Sequence, residues 1–415
     1  MTHSTPFNWR STTSTLTLLF IMFIDGVGMS LVLPLIGDLF AIGPHSIISA
    51  STSGWLTNVY YGGSLACFSG AMIIGAVVLG QLSDKSGRKF TLYLSLGGAV
   101  IGYLICAFAV FASAPMLFLL GRTIDGLTAG SIPVAQAMLS DVDTRQNKMT
   151  SIAKVMFALT SGYMFGPIIA SIAFSSKDYS FYLPFLLVAL CCVVCMVLLG
   201  LIQDTSEIKK ADNKIDLTIA FRQIKALWQA ANLRNALVGF FLFQCAWTLF
   251  YQYLPKMNSL VMSLSESNSS LLMTEVGIGM CFAFCFVVPK MQALCSPKRL
   301  VIYCVSLFSL AAANFLISMG YLSFQVISVL MSILYAVGYS AMLAFMLSIS
   351  NENQKGLIFG SIASICAISA TATALLGSTI ACVNFRLFFM VLFILSVMVL
   401  VLFTKNTSET LVETV

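Results

Sequence analysis

The chain has 415 residues, of which 59% are hydrophobic and only 9% are charged. This is more apolar side chain than a water-soluble core can bury, so the composition indicates a polytopic membrane protein. The formal net charge of +6 does not indicate a nucleic-acid partner, because the cations lie in the short polar segments between apolar runs.

Apolar stretches of about 20 residues follow one another along the whole chain. Each is long enough to cross a hydrocarbon core of about 30 Å as a helix. They cover residues 15–36, 55–79, 91–112, 116–139, 151–174, 181–202, 236–255, 270–289, 300–319, 324–346, 357–378 and 384–403. The pattern predicts an all-α polytopic membrane protein with twelve transmembrane helices, the first of which is not a removable signal peptide.

The distribution of cations predicts the orientation of these helices. If the N-terminus is cytoplasmic, all but four of the 22 Lys and Arg residues fall on the inner side. Three of the four lie in outer loops and one lies within the fourth helix: Lys177, Lys256, Arg386 and Arg122. Because positive charge accumulates on the cytoplasmic side, both termini are expected to be cytoplasmic.

The longest polar interruption divides the helices into two groups of six. It contains an apolar stripe at steps of three and four that predicts an amphipathic helix on the inner surface. This stripe consists of Leu217, Phe221, Ile224, Leu227 and Trp228. The expected organisation is an N-terminal bundle over 1–202, a central loop over 203–235, a C-terminal bundle over 236–404 and a short cytoplasmic tail over 405–415. In addition, Pro34 and Pro255 are expected to end the first helix of each half.

The stretch GQLSDKSGRKF at residues 80–90 concentrates charge between the second and third apolar runs and reads as a short polar turn. It resembles the loop 2–3 signature of the major facilitator superfamily. The matching residues with a gating role are Gly80, Asp84, Gly87, Arg88 and Lys89. The resemblance implies a conformational gate on the inner side, in which Arg88 pairs with Asp141 at the end of helix four. Gly80 would permit close helix approach, and Gly87 would permit a turn with positive φ. The alternative is that the cations only anchor the topology.

Three further stretches resemble the twelve-helix drug/proton antiporters of this superfamily, the group that includes tetracycline exporters. Helix one, FIMFIDGVGMSLVLP, matches at Asp25, Gly28 and Pro34. Helix four, LFLLGRTIDGLTAG, carries Arg122 and, three residues on, Asp125. In helix five, SGYMFGP matches the antiporter motif at Gly162, Gly166 and Pro167, although a face of small residues for helix packing is the alternative.

Depth along the helices brings three charged residues to a similar level in the bilayer. At about 1.5 Å per residue, Asp25, Arg122 and Asp125 could meet in one site. Charged groups inside a membrane are costly, and they usually mark a transport path. We therefore expect proton coupling at these three residues, with the choice between the two acids left open.

The second half offers a possible substrate cavity. Its candidate residues are Gln244, Trp247, Tyr251, Glu275, Tyr335 and Tyr339. Aromatic rings could hold amphipathic compounds by stacking and cation–π contacts, while core packing is the alternative for each of them.

Together the resemblance implies a proton-coupled exporter of small amphipathic compounds that works by alternating access. The alternatives are a proton-coupled uptake symporter for a metabolite or siderophore and a membrane sensor that does not transport. We expect no enzyme, cofactor or metal site, because the sequence offers no ligand cluster and no nucleotide loop. The expected partners are a small-molecule substrate, protons and lipid, and we expect a monomer in the cytoplasmic membrane.

Overall fold

A computed structural model gives the architecture of the chain. It describes residues 9–41, 45–49, 51–142, 148–175, 180–204, 216, 218–262, 266–317, 320–383 and 385–412. This part of the chain consists of helices and connecting segments, without a β-strand.

Among the described residues, α1 to α7 belong to the first half, α8 to the central segment and α9 to α15 to the second half. The helices are α1 Trp9–Leu39, α2 Gly54–Ser86, α3 Arg88–Phe111, α4 Pro115–Thr128, α5 Ser131–Val142, α6 Lys148–Ser175, α7 Leu183–Gly200, α8 Ile219–Gln229, α9 Ala231–Met262, α10 Glu266–Phe282, α11 Val288–Leu294, α12 Pro297–Ile317, α13 Tyr321–Ser348, α14 Glu352–Val383 and α15 Phe385–Val412. A π-helical turn, Ala283–Val287, joins α10 to α11.

The predicted all-α membrane fold is confirmed, and eleven of the twelve predicted spans are found as helices long and apolar enough to cross a membrane. Eleven spans in the described residues are single crossings by length and hydropathy, counting α10, the π turn and α11 as one. The remaining span, predicted at 116–139, is split into α4 and α5.

The split has a local cause. Pro133 has no N–H to donate to the carbonyl of Ala129, and its ring would clash there, so one continuous helix is disfavoured. The hydroxyl of Thr128 bonds back to the carbonyl of Ile124 at 3.0 Å. Its own carbonyl accepts from the hydroxyl of Ser95. The chain can therefore leave the helix at this point without losing all of its hydrogen bonds.

Two boundary predictions were wrong. The turn predicted over residues 80–90 is almost entirely helical, because α2 continues to Ser86 and α3 begins at Arg88. Gly87 alone separates them, and its φ of 97° is the positive value expected of this glycine. Likewise, Pro34 and Pro255 lie inside α1 and α9 instead of ending them. Neighbouring helices support such prolines in a membrane bundle.

The two groups of helices contact each other mainly along two pairs, α2 with α14 and α6 with α10. Several contacts lie near the face at which α2 begins. The hydroxyl of Tyr61 donates to the carbonyl of Gln252 at 2.5 Å, and the ring of Tyr61 lies 5.2 Å from that of Tyr253. The ammonium of Lys256 donates to the side chain of Asn58. In the orientation predicted from the cations, this face is the outer one.

The predicted amphipathic helix is α8, although Leu217 lies outside the described residues. Leu227 is buried and Ile224 packs against the core, whereas Phe221 and Trp228 are exposed. Its apolar residues therefore point in two directions, one toward α14 and α9 and one away from the protein. An exposed aromatic pair on a surface helix is the arrangement expected at a membrane interface. The predicted tail over 405–415 is also helical as far as Val412.

The glycines of the helix-five motif lie where α6 packs against α1. A Cβ on Gly162 would overlap the carbonyl of Phe23, and one on Gly166 would overlap the hydroxyl of Ser30. That hydroxyl lies 3.3 Å from the carbonyl of Gly162, to which it donates. Close packing of small residues is thus the contact that these two glycines make here.

This packing predicts a stability difference between two glycine substitutions. Gly166→Ala would place a methyl group 2.6 Å from the amide nitrogen of Leu31. The backbone of α1 leaves no room for this methyl group. Overpacking of this kind costs about 1–3 kcal/mol. We expect a lower midpoint of thermal unfolding, measured by tryptophan fluorescence in detergent. Gly97→Ala is the matched control, because its nearest neighbour is Met196 Cε at 4.0 Å. Equal midpoints for the two variants would contradict the packing.

Candidate functional site

The acid of helix one lies in the middle of α1 and is half-buried. One carboxylate oxygen of Asp25 accepts a hydrogen bond from the hydroxyl of Ser131. Ser131 is the first residue of α5, and 2% of its surface is exposed. The break between α4 and α5 therefore provides the partner of Asp25.

The charged residues of helix four form an ion pair within that helix. Nη1 of Arg122 lies 2.8 Å from Oδ2 of Asp125, and the two residues are 3% and 6% exposed. The guanidinium also lies over the ring of Phe68, 4.2 Å from its centroid. Spacing of three residues puts both charges on one helix face, as predicted. Buried cation and carboxylate thus compensate each other's charge.

A small cavity connects Asp25 with this ion pair. Its volume is about 20 Å³, which is enough for one water molecule. Its lining residues are Ile24, Asp25, Met29, Phe68, Ser95, Ala99, Tyr103, Asp125, Thr128, Ala129 and Cys192. The expected meeting of three residues is therefore partial: both acids face one cavity, while Arg122 bonds to Asp125.

Glycine in helix one makes room for one wall of this cavity. A Cβ on Gly28 would overlap the hydroxyl of Tyr103, which is buried and lines the cavity. Gly28 is one of the residues on which the likeness of helix one to the antiporters depends. Its role here is to leave space for the ring of Tyr103 beside the Asp25 cavity. Two other partners in the site, Ser131 and Phe68, were missed. For Ser131 the available signals were Gly130 and Pro133, which interrupt an otherwise apolar run.

The loop 2–3 residues make contacts on the face at which α2 ends. Nζ of Lys89 donates to the carbonyls of Gly200 at 3.2 Å and Ile202 at 2.6 Å, where α7 ends. A cation is favoured there by the free carbonyls of the helix end. Asp84 is exposed. The side chain of Asp141 lies outside the described residues, so its pairing with Arg88 stays a prediction.

Two further observations concern this gate. No described atom beyond the local helix lies within 4 Å of a Cβ built on Gly80, so the predicted close approach is not made in this conformation. Gln81, which was not among the predicted gate residues, exchanges two hydrogen bonds of 2.8 Å with the backbone of Asp216. The carboxylate of Asp216 accepts a hydrogen bond from the backbone N–H of Thr218, which precedes α8. It also forms an ion pair with Arg222, which lies within α8. The end of α2 is thereby tied to the central segment.

The aromatic residues of the second half form a packed cluster. The ring centroids of Trp247 and Tyr335 are stacked at 4.2 Å, and those of Trp247 and Tyr251 are stacked at 5.5 Å. Tyr339 lies 6.0 Å from Tyr335. The amide of Gln244 donates to Cys366 Sγ at 2.7 Å. Ring packing is therefore the contact that the structure describes for these residues, and the substrate cavity stays a prediction.

Glu275 is hydrogen-bonded to a residue of a neighbouring helix. It lies on α10, where both of its carboxylate oxygens are 2.7 Å from Nε2 of Gln325 on α13. It lines a separate cleft between these two helices. That Glu275 lines one substrate cavity together with the aromatic residues stays a prediction.

Comparisons with known proteins agree with this architecture. Residues 15–293 match the family described as the Major Facilitator Superfamily. The class H tetracycline resistance protein of Pasteurella multocida is 27% identical over 252 residues, which are 58% of this chain and 59% of that protein. The citrate-proton symporter of Klebsiella pneumoniae is 27% identical over 259 residues, 58% of this chain and 56% of that one. These matches span less than two thirds of either relative.

A solved structure extends the likeness over nearly the whole fold. The xylose transporter of E. coli, in a partially occluded inward-open conformation, superimposes with a TM-score of 0.75. The superposition covers 96% of this chain and 98% of the xylose transporter. The sequence identity is 12%, so the likeness concerns the fold. With the family match over more than half of the residues, the chain belongs to the Major Facilitator Superfamily.

Proposed function

We propose that the protein is a proton-coupled transporter that exports small amphipathic compounds across the cytoplasmic membrane by alternating access. The observation that supports this most directly is Asp25, a carboxyl group in the middle of a membrane helix that shares a water-sized cavity with Asp125. Intramembrane acids are expensive to maintain and usually serve ion movement. The similarity to a tetracycline resistance protein favours export over import.

The contacts of the two acids suggest different roles for them. Asp125 is held by the guanidinium of Arg122, whose positive charge balances that of its carboxylate. Asp25 is held only by a neutral hydroxyl in the contacts described for it. A carboxylate without a cation in a low-dielectric bundle is stabilised by binding a proton. Asp25 is therefore our candidate for the proton carrier and Arg122–Asp125 for the fixed charge pair beside it.

The coupling follows from exposing this site to one side at a time. When the cavity opens to the acidic side, Asp25 takes up a proton and the bundle can rearrange without a net buried charge. When it opens to the other side, the proton leaves and substrate can bind. The contacts between Tyr61 and Gln252 and between α6 and α10 would have to separate in one of these states. Movement of one six-helix unit against the other is the usual way in which such folds do this.

Uptake by symport is the second candidate. The citrate-proton symporter matches the same share of this chain as the class H protein does, 58%, at the same identity of 27%. The same carboxyl site would serve either direction, because only the order in which proton and substrate bind and leave differs. Direction therefore has to be measured.

Replacing Asp25 tests the proton carrier. In inside-out vesicles with an acidic lumen, we expect tetracycline or another amphipathic compound to trigger proton release by the wild type. The release is followed with a pH-sensitive dye. Asp25→Asn should reduce it to the background of vesicles without the protein, because the amide cannot carry a proton. Asp38→Asn, the same change at the far end of α1, is the control and should retain release. Substrate-driven release that survives in Asp25→Asn would refute the assignment. If citrate uptake in right-side-out vesicles moves protons and no export substrate does, the protein is a symporter.

Replacing Arg122 tests the charge pair. Arg122→Gln leaves the carboxylate of Asp125 buried without its cation, which typically costs about 3–5 kcal/mol. The expected result is a lower midpoint of thermal unfolding in detergent. The double variant R122Q/D125N removes both charges at nearly the same volume, so most of the lost stability should return. A double variant no more stable than Arg122→Gln would show that Arg122 acts through contacts other than Asp125, such as the ring of Phe68.

A further inference from the structure

One flank of α8 carries two aromatic rings with a cation between them. At about 100° per residue, Phe221, Lys225 and Trp228 point within about 60° of one another around the helix axis. The exposed fractions of Phe221 and Trp228 are 62% and 51%, and Lys225 is exposed as well. Ile224 and Leu227 instead pack into the core. The described part of the protein therefore leaves the first three residues, here called the surface stripe, uncovered.

The chain places α8 at the level of a bilayer surface. Only Ala230 separates Gln229, the last residue of α8, from α9. By length and hydropathy, the membrane span of α9 begins at Asn232. Trp228 precedes this point by about 6 Å along a helix. In addition, α8 packs on α14, which is another membrane helix. Joined to one membrane helix and packed on a second, α8 lies where the hydrocarbon core meets the lipid headgroups.

The charges around the surface stripe are positive. α8 contains two cations and no acidic residue. Its Arg222 pairs with Asp216, but the two side chains are 65% and 35% exposed, so water screens this ion pair and leaves it weak. Lys225 takes part in neither of the ion pairs described in the structure. Arg234, in the first turn of α9, is a further exposed cation. These cations are available to an anion that approaches from outside the protein.

The combination of rings and cation selects the kind of surface that can bind. Aromatic side chains favour the headgroup layer of a bilayer, because one part of that layer is apolar and the other is wet. Lys225 lies between Phe221 and Trp228, so its ammonium is held at the depth of the lipid phosphates. Basic residues near a membrane are attracted by anionic headgroups, and an ammonium forms charge-assisted hydrogen bonds with phosphate oxygens. A soluble acidic protein would meet the cations but would first have to displace the lipid around Trp228.

We propose that α8 binds anionic phospholipid at the bilayer surface, with Phe221 and Trp228 in the headgroup layer and Lys225 on a lipid phosphate. In the orientation predicted from the cations, this lipid belongs to the inner leaflet. The bound lipid holds α8 at the surface, and through the hydrogen bonds between Asp216 and Gln81 it also holds the end of α2. The inference goes beyond the proposed function and does not depend on the substrate, the direction of transport or the proton carrier.

The test is quenching of Trp228 fluorescence in the full-length protein in vesicles. The chain has four tryptophans, so the signal of this residue is taken as the difference between the wild type and Trp228→Phe. The vesicles contain a fixed fraction of lipid that is brominated near the headgroup end of its acyl chains. This lipid is either phosphatidylglycerol or phosphatidylcholine. We expect stronger quenching by the brominated phosphatidylglycerol, because it gathers at the surface stripe. Lys225→Gln should lower the preference for the anionic lipid about fivefold, the factor for one basic residue at an anionic surface.

Two variants serve as controls. Lys290→Gln removes an exposed cation of α11 and should leave the preference at Trp228 unchanged. Asp25→Asn should also leave it unchanged, so a failure of the proton carrier does not affect this measurement.

Three results would overturn the proposal. The first is equal quenching of the wild type by the two brominated lipids, or no quenching by either. The second is an undiminished preference in Lys225→Gln. The third is loss of the preference when inorganic phosphate replaces chloride at constant ionic strength, since the cations would then bind phosphate from solution and not a membrane.

Discussion

The cost of burying charge in a low-dielectric bundle is the constraint on which the first half of this protein depends. Arg122 and Asp125 are almost completely buried, and each would be strongly unfavourable alone. Their pairing within one turn, with Phe68 on the guanidinium, keeps the compensation inside one rigid helix and its neighbour. A movement of α1 or α5 past α4 can therefore change the surroundings of Asp25 without separating this ion pair.

The interruption of the fourth span gives that fixed pair its neighbour. In a continuous helix over 116–139, the backbone groups of residue 131 would have been used in the regular hydrogen-bond pattern. Because the chain leaves the helix at Ala129 and starts again at Ser131, the hydroxyl of Ser131 reaches Asp25. Broken helices at membrane depth are tolerated where the freed backbone groups find partners, and Ser95 is such a partner for Thr128.

The sequence was sufficient for the number and order of spans because a run of apolar residues is a property of consecutive positions. It was sufficient for the pairing of Arg122 with Asp125 because that contact is set by spacing within one helix. It was insufficient for Ser131 and for the cleft at Glu275, since both depend on which faces of different helices meet. The ends of the helices were the least predictable feature. The charges near residues 80–90 suggested a turn, but α2 continues to Ser86 because polar residues can extend a helix beyond the apolar core of the membrane.

The contacts across the two halves bear on how the loop 2–3 residues act. Toward the face where α2 begins, Tyr61, Asn58 and Lys256 join the halves directly. Toward the face where α2 ends, Lys89 is occupied with the end of α7, and Gln81 with the segment that leads into α8. Lys89 therefore fastens α3 to α7 inside the first half, which keeps that half rigid. The segment bonded to Gln81 leads into α8, and α8 packs on α14 of the second half. The end of α2 is therefore connected to the second half through α8. This connection can persist when the two bundles tilt if α8 follows the tilt.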